Sequence, residues 1–156
     1  MQHIDRPNPG TAPPTAVELA FEKLGGEKVV GLEVRTEADL IKVLDQGIPL
    51  DALAELAQGS LSAEEVDRLI IPRRTLSHRK ARNQALSRAE SERALRVASI
   101  LSLAEETFAN KDKAHVWLRR ATTALGGKRP IDLLDCETGG RLVEQLLHRI
   151  GHGIAA

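Results

Sequence analysis

Residues 61–82 read LSAEEVDRLIIPRRTLSHRKAR, and the fold prediction starts from this stretch. Ser62 and Glu65 have the spacing of a capping box, in which each side chain accepts a hydrogen bond from the other residue's backbone N–H. Apolar residues then recur at helical spacing as far as Leu69. Pro72 favours a second helix start, because its fixed φ suits the first helical position. The stretch therefore predicts a helix-turn-helix.

The second of these helices, from Pro72 to Arg82, carries five basic residues and no acid. Leu76 is its one large apolar side chain, so it can hold the helix to a core while the polar residues stay accessible. Arginine can pair with guanine through two hydrogen bonds, and other basic residues can bind phosphate. The alternative is an ordinary solvated helix face. The candidate DNA contacts are Arg73, Arg74, Thr75 and His78 for bases, and Ser77, Arg79, Lys80 and Arg82 mainly for phosphate.

The composition favours helices. Of 156 residues, 42% are hydrophobic but only 2% are aromatic, so the core must be aliphatic. Abundant Leu, Ala, Glu and Arg are good helix formers. The fold class predicted is all-α, with an N-terminal helix-turn-helix bundle of the phage-repressor type followed by a small C-terminal helical domain.

The charge is balanced in total but uneven along the chain. There are 22 basic and 22 acidic residues, which give a formal net charge of zero. Residues 33–70 hold nine acids and three bases, whereas residues 72–96 hold eight bases and two acids. A basic surface on a neutral protein predicts moderate, salt-sensitive DNA affinity, as a specific repressor requires.

The single cysteine, Cys136, excludes an internal disulfide and is typical of a reducing compartment. No apolar run approaches the length that spans a bilayer, and the N-terminus lacks a signal pattern. The sequence therefore predicts a cytoplasmic protein with no membrane partner.

Short helices and turns fill the region before the helix-turn-helix. Four prolines among the first 14 residues predict a flexible N-terminal arm, which we extend over residues 1–27. Thr36 begins a helix that Gly47 ends, and a further short helix follows Pro49. None of these helices is long enough to be stable alone, so residues 28–86 are predicted to form one DNA-binding bundle.

A long helix is expected over residues 87–110, launched by a second capping box at Ser87 and Glu90. Its apolar residues cover more than one face, which is typical of a helix buried between two layers or between two chains. Because repressors of this type bind paired half-sites, we favour a homodimer. The predicted dimer contacts are Leu95, Ile100, Leu101 and Phe108.

An enzymatic function finds little support in the sequence. His148 and His152 are four residues apart and Cys136 is nearby, but a closed metal site needs three or four ligands on a rigid frame. The chain has no phosphate-binding loop and no nucleophile elbow. We therefore predict no catalytic residue, no metal and no cofactor.

Several short motifs, in order, resemble the Xre/MbcA/ParS family of antitoxins over roughly residues 38–156. They are Gly47-Ile48-Pro49; Ile71-Pro72-Arg73-Arg74-Thr75-Leu76 with Arg79; Leu86-Ser87 leading to Glu90-Ser91-Glu92-Arg93; Ala114-x-x-Trp117-Leu118; Ala124-Leu125-Gly126-Gly127; Pro130 with Leu133-Leu134; Gly140, Val143 and Leu147; and Ile150 followed by Gly153. One departure is visible, because many members carry Asn-Pro just before the Leu-Gly-Gly turn and this chain does not.

The resemblance implies an antitoxin that represses its own operon and binds a RES-domain toxin, whose NAD-degrading active site it occludes. Residues 111–156 would then be the toxin-binding domain. An apolar stripe on the last helix leads into a small tail, which we expect to enter or cap the toxin's active site. The alternative is an ordinary frayed terminus. The predicted toxin contacts are Trp117, Leu125, Leu146, Gly151, His152, Gly153, Ile154, Ala155 and Ala156.

The competing interpretation is a stand-alone helix-turn-helix regulator with no toxin partner. It would share the DNA-binding helix and differ in the role of the C-terminal domain. A neighbouring reading frame for a RES-type protein would favour the antitoxin.

Overall fold

The computed structural model describes residues 14–153, which fold into α-helices and two short 3₁₀ helices. The α-helices are α1 (Ala16–Lys23), α2 (Gly26–Val30), α3 (Glu37–Gln46), α4 (Leu50–Ala57), α5 (Ala63–Leu69), α6 (Arg73–Ala81), α7 (Arg88–Phe108), α8 (Lys111–Leu118) and α9 (Glu137–Gly151). The 3₁₀ helices are Thr123–Leu125 and Pro130–Asp135. Between residues 14 and 153 there is no β-strand, only an isolated antiparallel bridge joining Thr122 to Lys128. The all-α prediction is confirmed.

Local capping explains where several helices begin. Thr15, Thr36, Ser62 and Ser87 each accept a hydrogen bond from the backbone N–H three residues on, and the acid at that position bonds back. The capping boxes predicted at Ser62 and Ser87 are confirmed. Pro72 precedes the first residue of α6 as its N-cap, one position earlier than predicted.

Helix α7 is the centre of the molecule. Helices α1, α3, α5, α8 and α9 and the second 3₁₀ helix all pack against it. Val97, Ala98 and Leu101 on this helix are completely buried. Because both halves of the chain share α7, the described residues form one continuous aliphatic core.

Helix α1 corrects the prediction of a flexible arm over residues 1–27. Phe21 and Leu24 are buried, and the Ser102 hydroxyl of α7 donates a hydrogen bond of 3.1 Å to the Leu19 carbonyl. Apolar burial outweighs the entropy of ordering this segment. Residues 1–13 of the predicted arm lie outside the described residues.

The Gly47-Ile48 turn fastens α3 to the start of α7. Gly47 has φ +85°, and a Cβ there would collide with the Leu86 carbonyl oxygen, so this position requires glycine. Ile48 donates its backbone N–H to the Ser91 hydroxyl at 2.9 Å and accepts from the Leu86 N–H at 2.9 Å.

Across residues 14–153, no helix has both the length and the apolar character needed to cross a membrane.

Candidate functional site

Helices α5 and α6 are joined by a three-residue turn, which gives a helix-turn-helix arrangement. Ile70 and Ile71 in this turn are buried, so the turn is anchored in the core. The Asp67 carboxylate accepts the Arg73 backbone N–H at 2.6 Å, satisfying a donor at the start of α6. Leu76 packs against the core and is half-buried. These contacts fix where α6 sits relative to α5.

The solvent side of α6 carries most of the predicted DNA contacts. None of its residues is fully buried, and no acid lies between Pro72 and Arg82. Thr75 is half-buried, which leaves less of its side chain accessible. The exposed members of the predicted set are Arg73, Arg74, Ser77, His78, Lys80 and Arg82. They form a basic surface that suits an anionic partner.

Arg79 is the exception on α6, and the structure corrects its predicted role. Its guanidinium turns inward and donates two hydrogen bonds of 3.2 Å to the Glu90 carboxylate on α7. Glu90 is only 8% exposed, so the pair is largely removed from solvent. The two N–H donors used in this pair are not available to phosphate, although a guanidinium has five in all. The role of Arg79 that the contacts show is to hold α6 against α7.

Glu90 combines two tasks in one carboxylate. It accepts the Ser87 backbone N–H at 2.7 Å, which caps α7, and it also binds Arg79. Burial opposes ionisation, but the hydrogen bonds from Ser87 and Arg79 outweigh it, so the pKa of Glu90 lies below its usual range. The carboxylate therefore stays charged at neutral pH.

A second arginine, from the C-terminal part of the chain, forms hydrogen bonds at the start of α5. Arg119, just after α8, donates two hydrogen bonds of 2.9 Å to Glu65 and one of 2.8 Å to the Ser60 carbonyl. Burial opposes ionisation of Glu65, but hydrogen bonds from Arg119 and the Ser62 N–H outweigh it and hold its pKa below the usual range. No local pattern predicts this pair, because 54 residues separate its partners.

The end of α5 is tied to the same part of the chain. The Arg68 guanidinium pairs with Asp132 of the second 3₁₀ helix, and Asp132 also binds Arg129 at 2.7 Å. Hydrogen bonding to Arg129 keeps the pKa of Asp132 below its usual range. Both ends of α5 are thus linked to residues beyond α7.

The predicted dimer contacts on α7 are mostly interior residues of the single chain. Leu101 is completely buried and Ile100 is 4% exposed, while Leu95 and Phe108 are half-buried against the same core. Helix α7 is apolar on several faces because helices of its own chain surround it. The assignment of Ile100 and Leu101 to a dimer interface was therefore wrong.

The predicted toxin contacts fall into three groups. Leu146 is 1% exposed and faces the core, so its assignment as a contact was wrong. Trp117 and Leu125 are half-buried and keep an accessible edge. Gly151, His152 and Gly153 are exposed at the end of α9, and Ile154, Ala155 and Ala156 lie outside the described residues.

A shallow groove of about 420 Å³ lies on the outer side of α8. The residues that line it are Phe108, Asp112, Lys113, Val116, Trp117 and Arg120. The Phe108 and Trp117 rings pack with centroids 5.6 Å apart. Val116 was not among the predicted contacts, although it is 65% exposed. Its signal was its spacing, because it lies two residues from both Ala114 and Leu118, and this spacing puts it on the side of the helix opposite to those inward-facing residues.

The histidines of α9 make local contacts. His152 bonds through Nδ1 to the His148 carbonyl at 2.6 Å, and His148 lies 3.9 Å from Glu144. Within the described residues, no group of three or more His, Cys, Asp or Glu side chains is arranged to hold a metal ion.

Comparisons with protein families match both halves of the chain. Residues 39–99 match the model described as the antitoxin Xre-like helix-turn-helix domain. Residues 103–153 match the model described as the antitoxin Xre/MbcA/ParS C-terminal toxin-binding domain.

Three relatives illustrate the similarity. The chain is 33% identical over 122 residues to Antitoxin Xre of Pseudomonas putida, covering 78% of this chain and 76% of the relative. It is 29% identical over 128 residues to Antitoxin Xre of Yersinia enterocolitica, covering 80% and 86%. It is also 31% identical over 129 residues to the Prs ADP-ribosylating antitoxin of a Sphingobium species, covering 76% and 81%.

Proposed function

The chain belongs to the Xre/MbcA/ParS family of antitoxins, and we propose that it silences a RES-domain toxin that degrades NAD. We further propose that it represses its own operon through α6. The match of residues 103–153 to a toxin-binding domain carries the first proposal. The exposed basic surface of α6 supports the second. In this function the chain acts by binding, in the cytoplasm, and catalyses nothing.

The tail after α9 is our candidate for the segment that occludes the toxin's active site. Gly151, His152 and Gly153 are exposed, and the remaining residues 154–156 are small apart from Ile154. A segment with few bulky groups fits a narrow cleft, and α9 is anchored by buried Leu146 and Leu147. Contacts around Trp117 and Leu125 would add binding surface beside the tail.

NAD is the expected substrate of the toxin for two reasons. The resemblance implies a RES-domain toxin that degrades NAD, and one relative's name refers to ADP-ribosylation. ADP-ribosyl transfer also uses NAD, so ADP-ribosylation and NAD degradation would draw on the same molecule.

Co-expression with the neighbouring reading frame tests the antitoxin proposal. We expect the two proteins to co-purify, growth to be rescued and cellular NAD to be preserved. Deleting residues 151–156 should leave operator binding by the free antitoxin intact while NAD consumption by the co-purified toxin rises. If no neighbouring protein binds and growth is unaffected, the chain is instead a stand-alone transcription regulator.

Operator binding should depend on the exposed arginines of α6. Arg74→Ala should cost about 1–3 kcal/mol on the specific operator if Arg74 pairs with guanine. A gel-shift titration with operator and scrambled DNA measures this loss. Loss of affinity for both DNAs alike would indicate a phosphate contact instead.

A homodimer remains part of the proposal, because helix-turn-helix repressors bind paired half-sites. Since Ile100 and Leu101 are buried in their own chain, another surface must form the dimer. Light scattering at micromolar concentration, with and without operator DNA, tests this point, and a monomer on DNA would contradict it.

A further inference from the structure

The few aromatic side chains of this protein differ in how deeply they are buried. The chain has two Phe, one Trp and no Tyr. Phe21 is 5% exposed in the core, whereas Phe108 and Trp117 are both half-buried and pack on each other at the surface. Large aromatic side chains dominate the energetics of protein interfaces. A surface aromatic pair in so aromatic-poor a chain therefore needs an explanation.

Helix α8 presents a face built around this pair. Lys113, Val116 and Trp117 are spaced three and four residues apart on α8, so they lie along one side of the helix. Arg120, two residues after the end of α8, lines the same groove. Val116 is the most exposed of the large hydrophobic residues identified in the described chain, at 65%. The face thus has an apolar centre with a basic residue at each end.

The opposite face of α8 is fixed to the protein. Ala114 and Leu118 are completely buried, and Arg119 is held by Glu65 and the Ser60 carbonyl. His115 also lies 3.2 Å from Glu105 of α7. Because α8 is held on its inner side, its outer face is a preorganised surface that loses little freedom when a partner binds.

The charges on this face are available. Neither the Lys113 nor the Arg120 side chain forms an ion pair within residues 14–153, and Asp112 is the single acid that lines the groove. A partner surface that complements this face has a protruding apolar side chain with acidic residues beside it. Apolar centres with polar rims are the usual anatomy of specific interfaces.

We propose that the cognate toxin docks on the α8 face, defined as Phe108, Lys113, Val116, Trp117 and Arg120. The occupant is an apolar side chain of the toxin, inserted between Val116 and the aromatic pair, with toxin carboxylates at the basic ends. The assignment rests on the proposed function, since the whole face lies in the segment that matches a toxin-binding domain. It adds to the tail a second contact that supplies affinity.

Val116→Glu tests the docking face and Leu142→Glu is its matched control. Leu142 lies on α9, is 48% exposed and falls within the same toxin-binding segment, but it does not line the groove. Both variants place a carboxylate on a solvated helix surface, so both should fold. Unchanged circular dichroism and melting temperature establish this, and Val116→Ser is the substitute if Val116→Glu unfolds.

Titration calorimetry of each full-length variant with the purified cognate toxin gives the outcome. We expect Val116→Glu to weaken binding about 100-fold, as for a central interface residue, and Leu142→Glu to leave it within about threefold. The double variant Lys113→Glu with Arg120→Glu should have a lower association rate constant for the toxin, and this rate should lose its dependence on salt. Stopped-flow mixing at several salt concentrations measures it.

The possible failures are distinguishable. If the wild-type chain does not bind the toxin, the proposed function fails, and this inference fails with it. If the wild type binds and Val116→Glu binds equally well, the function stands and the docking face is wrong. A loss confined to Leu142→Glu would move the interface to α9 and overturn the inference.

Discussion

The starts of α1 and α3 use the same local motif as the starts of α5 and α7, but in different surroundings. All four begin with a Thr or Ser cap and an acid three residues later. The acids of α1 and α3, Glu18 and Asp39, bond only to residues within four positions in sequence. Glu65 of α5 also receives two hydrogen bonds from Arg119, which follows α8. Glu90 of α7 receives two from Arg79 of α6.

This difference shows how a local signal acquires a tertiary role. The cap stabilises the start of a helix. The hydrogen bonds from the arginine hold that helix against another part of the fold. Helices α5 and α7 flank α6 along the chain, and Arg79 comes from α6 itself. The two carboxylates that bind an arginine, Glu65 and Glu90, therefore help to hold the helix-turn-helix in place, while Glu18 and Asp39 stabilise the starts of their own helices.

Removing the Glu90 carboxylate should have the largest effect on stability. Glu90→Ala removes one of the two capping-box hydrogen bonds of α7 and leaves Arg79 without its carboxylate partner, so the free energy of unfolding should fall by about 3 kcal/mol. Thermal denaturation followed by circular dichroism measures the loss. Glu18→Ala is the matched control, since it removes an equivalent cap that has no arginine, and its melting temperature should fall much less. Equal shifts would mean that the Arg79 pair adds nothing.

Arg119→Met should rank second. It removes the guanidinium that donates to the Ser60 carbonyl and to Glu65, which is 14% exposed and keeps only the Ser62 N–H. We expect a loss of about 2 kcal/mol, because the site remains partly solvated. Urea denaturation measures it, with Arg120→Met as the exposed neighbouring control. Combining Arg119→Met with Glu65→Gln in a double-mutant cycle should give a clear coupling energy. Additive effects would show that the Arg119–Glu65 pair does not stabilise the fold.

Lowering the pH should reduce the stability that the ionised Glu65 and Glu90 carboxylates contribute to the fold. Because the folded pKa values of Glu65 and Glu90 lie below the ordinary 4.5, their stabilisation is complete above that pH and is lost as pH falls through the lowered values. The pKa of Asp39 is lowered from 3.8 to about 2, mainly by the Arg35 N–H and Thr36 hydroxyl, so its contribution is complete above pH 3.8 and is lost as the pH falls toward 2.

Urea midpoints recorded from pH 6 downward, at about half-unit steps, measure this acid sensitivity. In Glu90→Gln the midpoint should fall less steeply than in the wild type, since one titrating group has been removed. An identical slope in the variant would show that Glu90 does not contribute to the acid response.

The smallest expected effect separates the two neighbouring bases on α6. Lys80→Ala should reduce the salt dependence of operator binding by about one ion, because Lys80 is exposed and free to bind phosphate. Arg79→Ala should leave the salt dependence unchanged and lower affinity only through displacement of α6. Gel-shift titrations at several salt concentrations compare them. A reduced slope for Arg79→Ala would return Arg79 to the DNA contacts.

Much of the local structure could be predicted from residues close together in the chain. The capping boxes at Ser62 and Ser87, the end of α3 at Gly47 and the all-α class were confirmed. Each depends on hydrogen bonds or apolar spacing within a few residues, so the pattern contains the information. The basic character of α6 and its exposure follow from the same local reasoning, since Leu76 is its only large apolar residue.

By itself, the sequence determined the capped starts of α5 and α7, the helix-turn-helix and the family likeness, while the tertiary structure decided which surfaces remain available. An apolar stripe shows that a helix is covered but not by which chain, so α7 was assigned to a dimer although its own chain encloses it. The same ambiguity led to the prediction that Leu146 contacts the toxin, although it is buried. Helix α1 was assigned to the arm for another reason, because the proline-rich pattern before it was extended too far along the chain. The grip of Arg119 on Glu65 joins residues 54 positions apart, and such a pairing depends on how helices pack around α7, which no local pattern specifies.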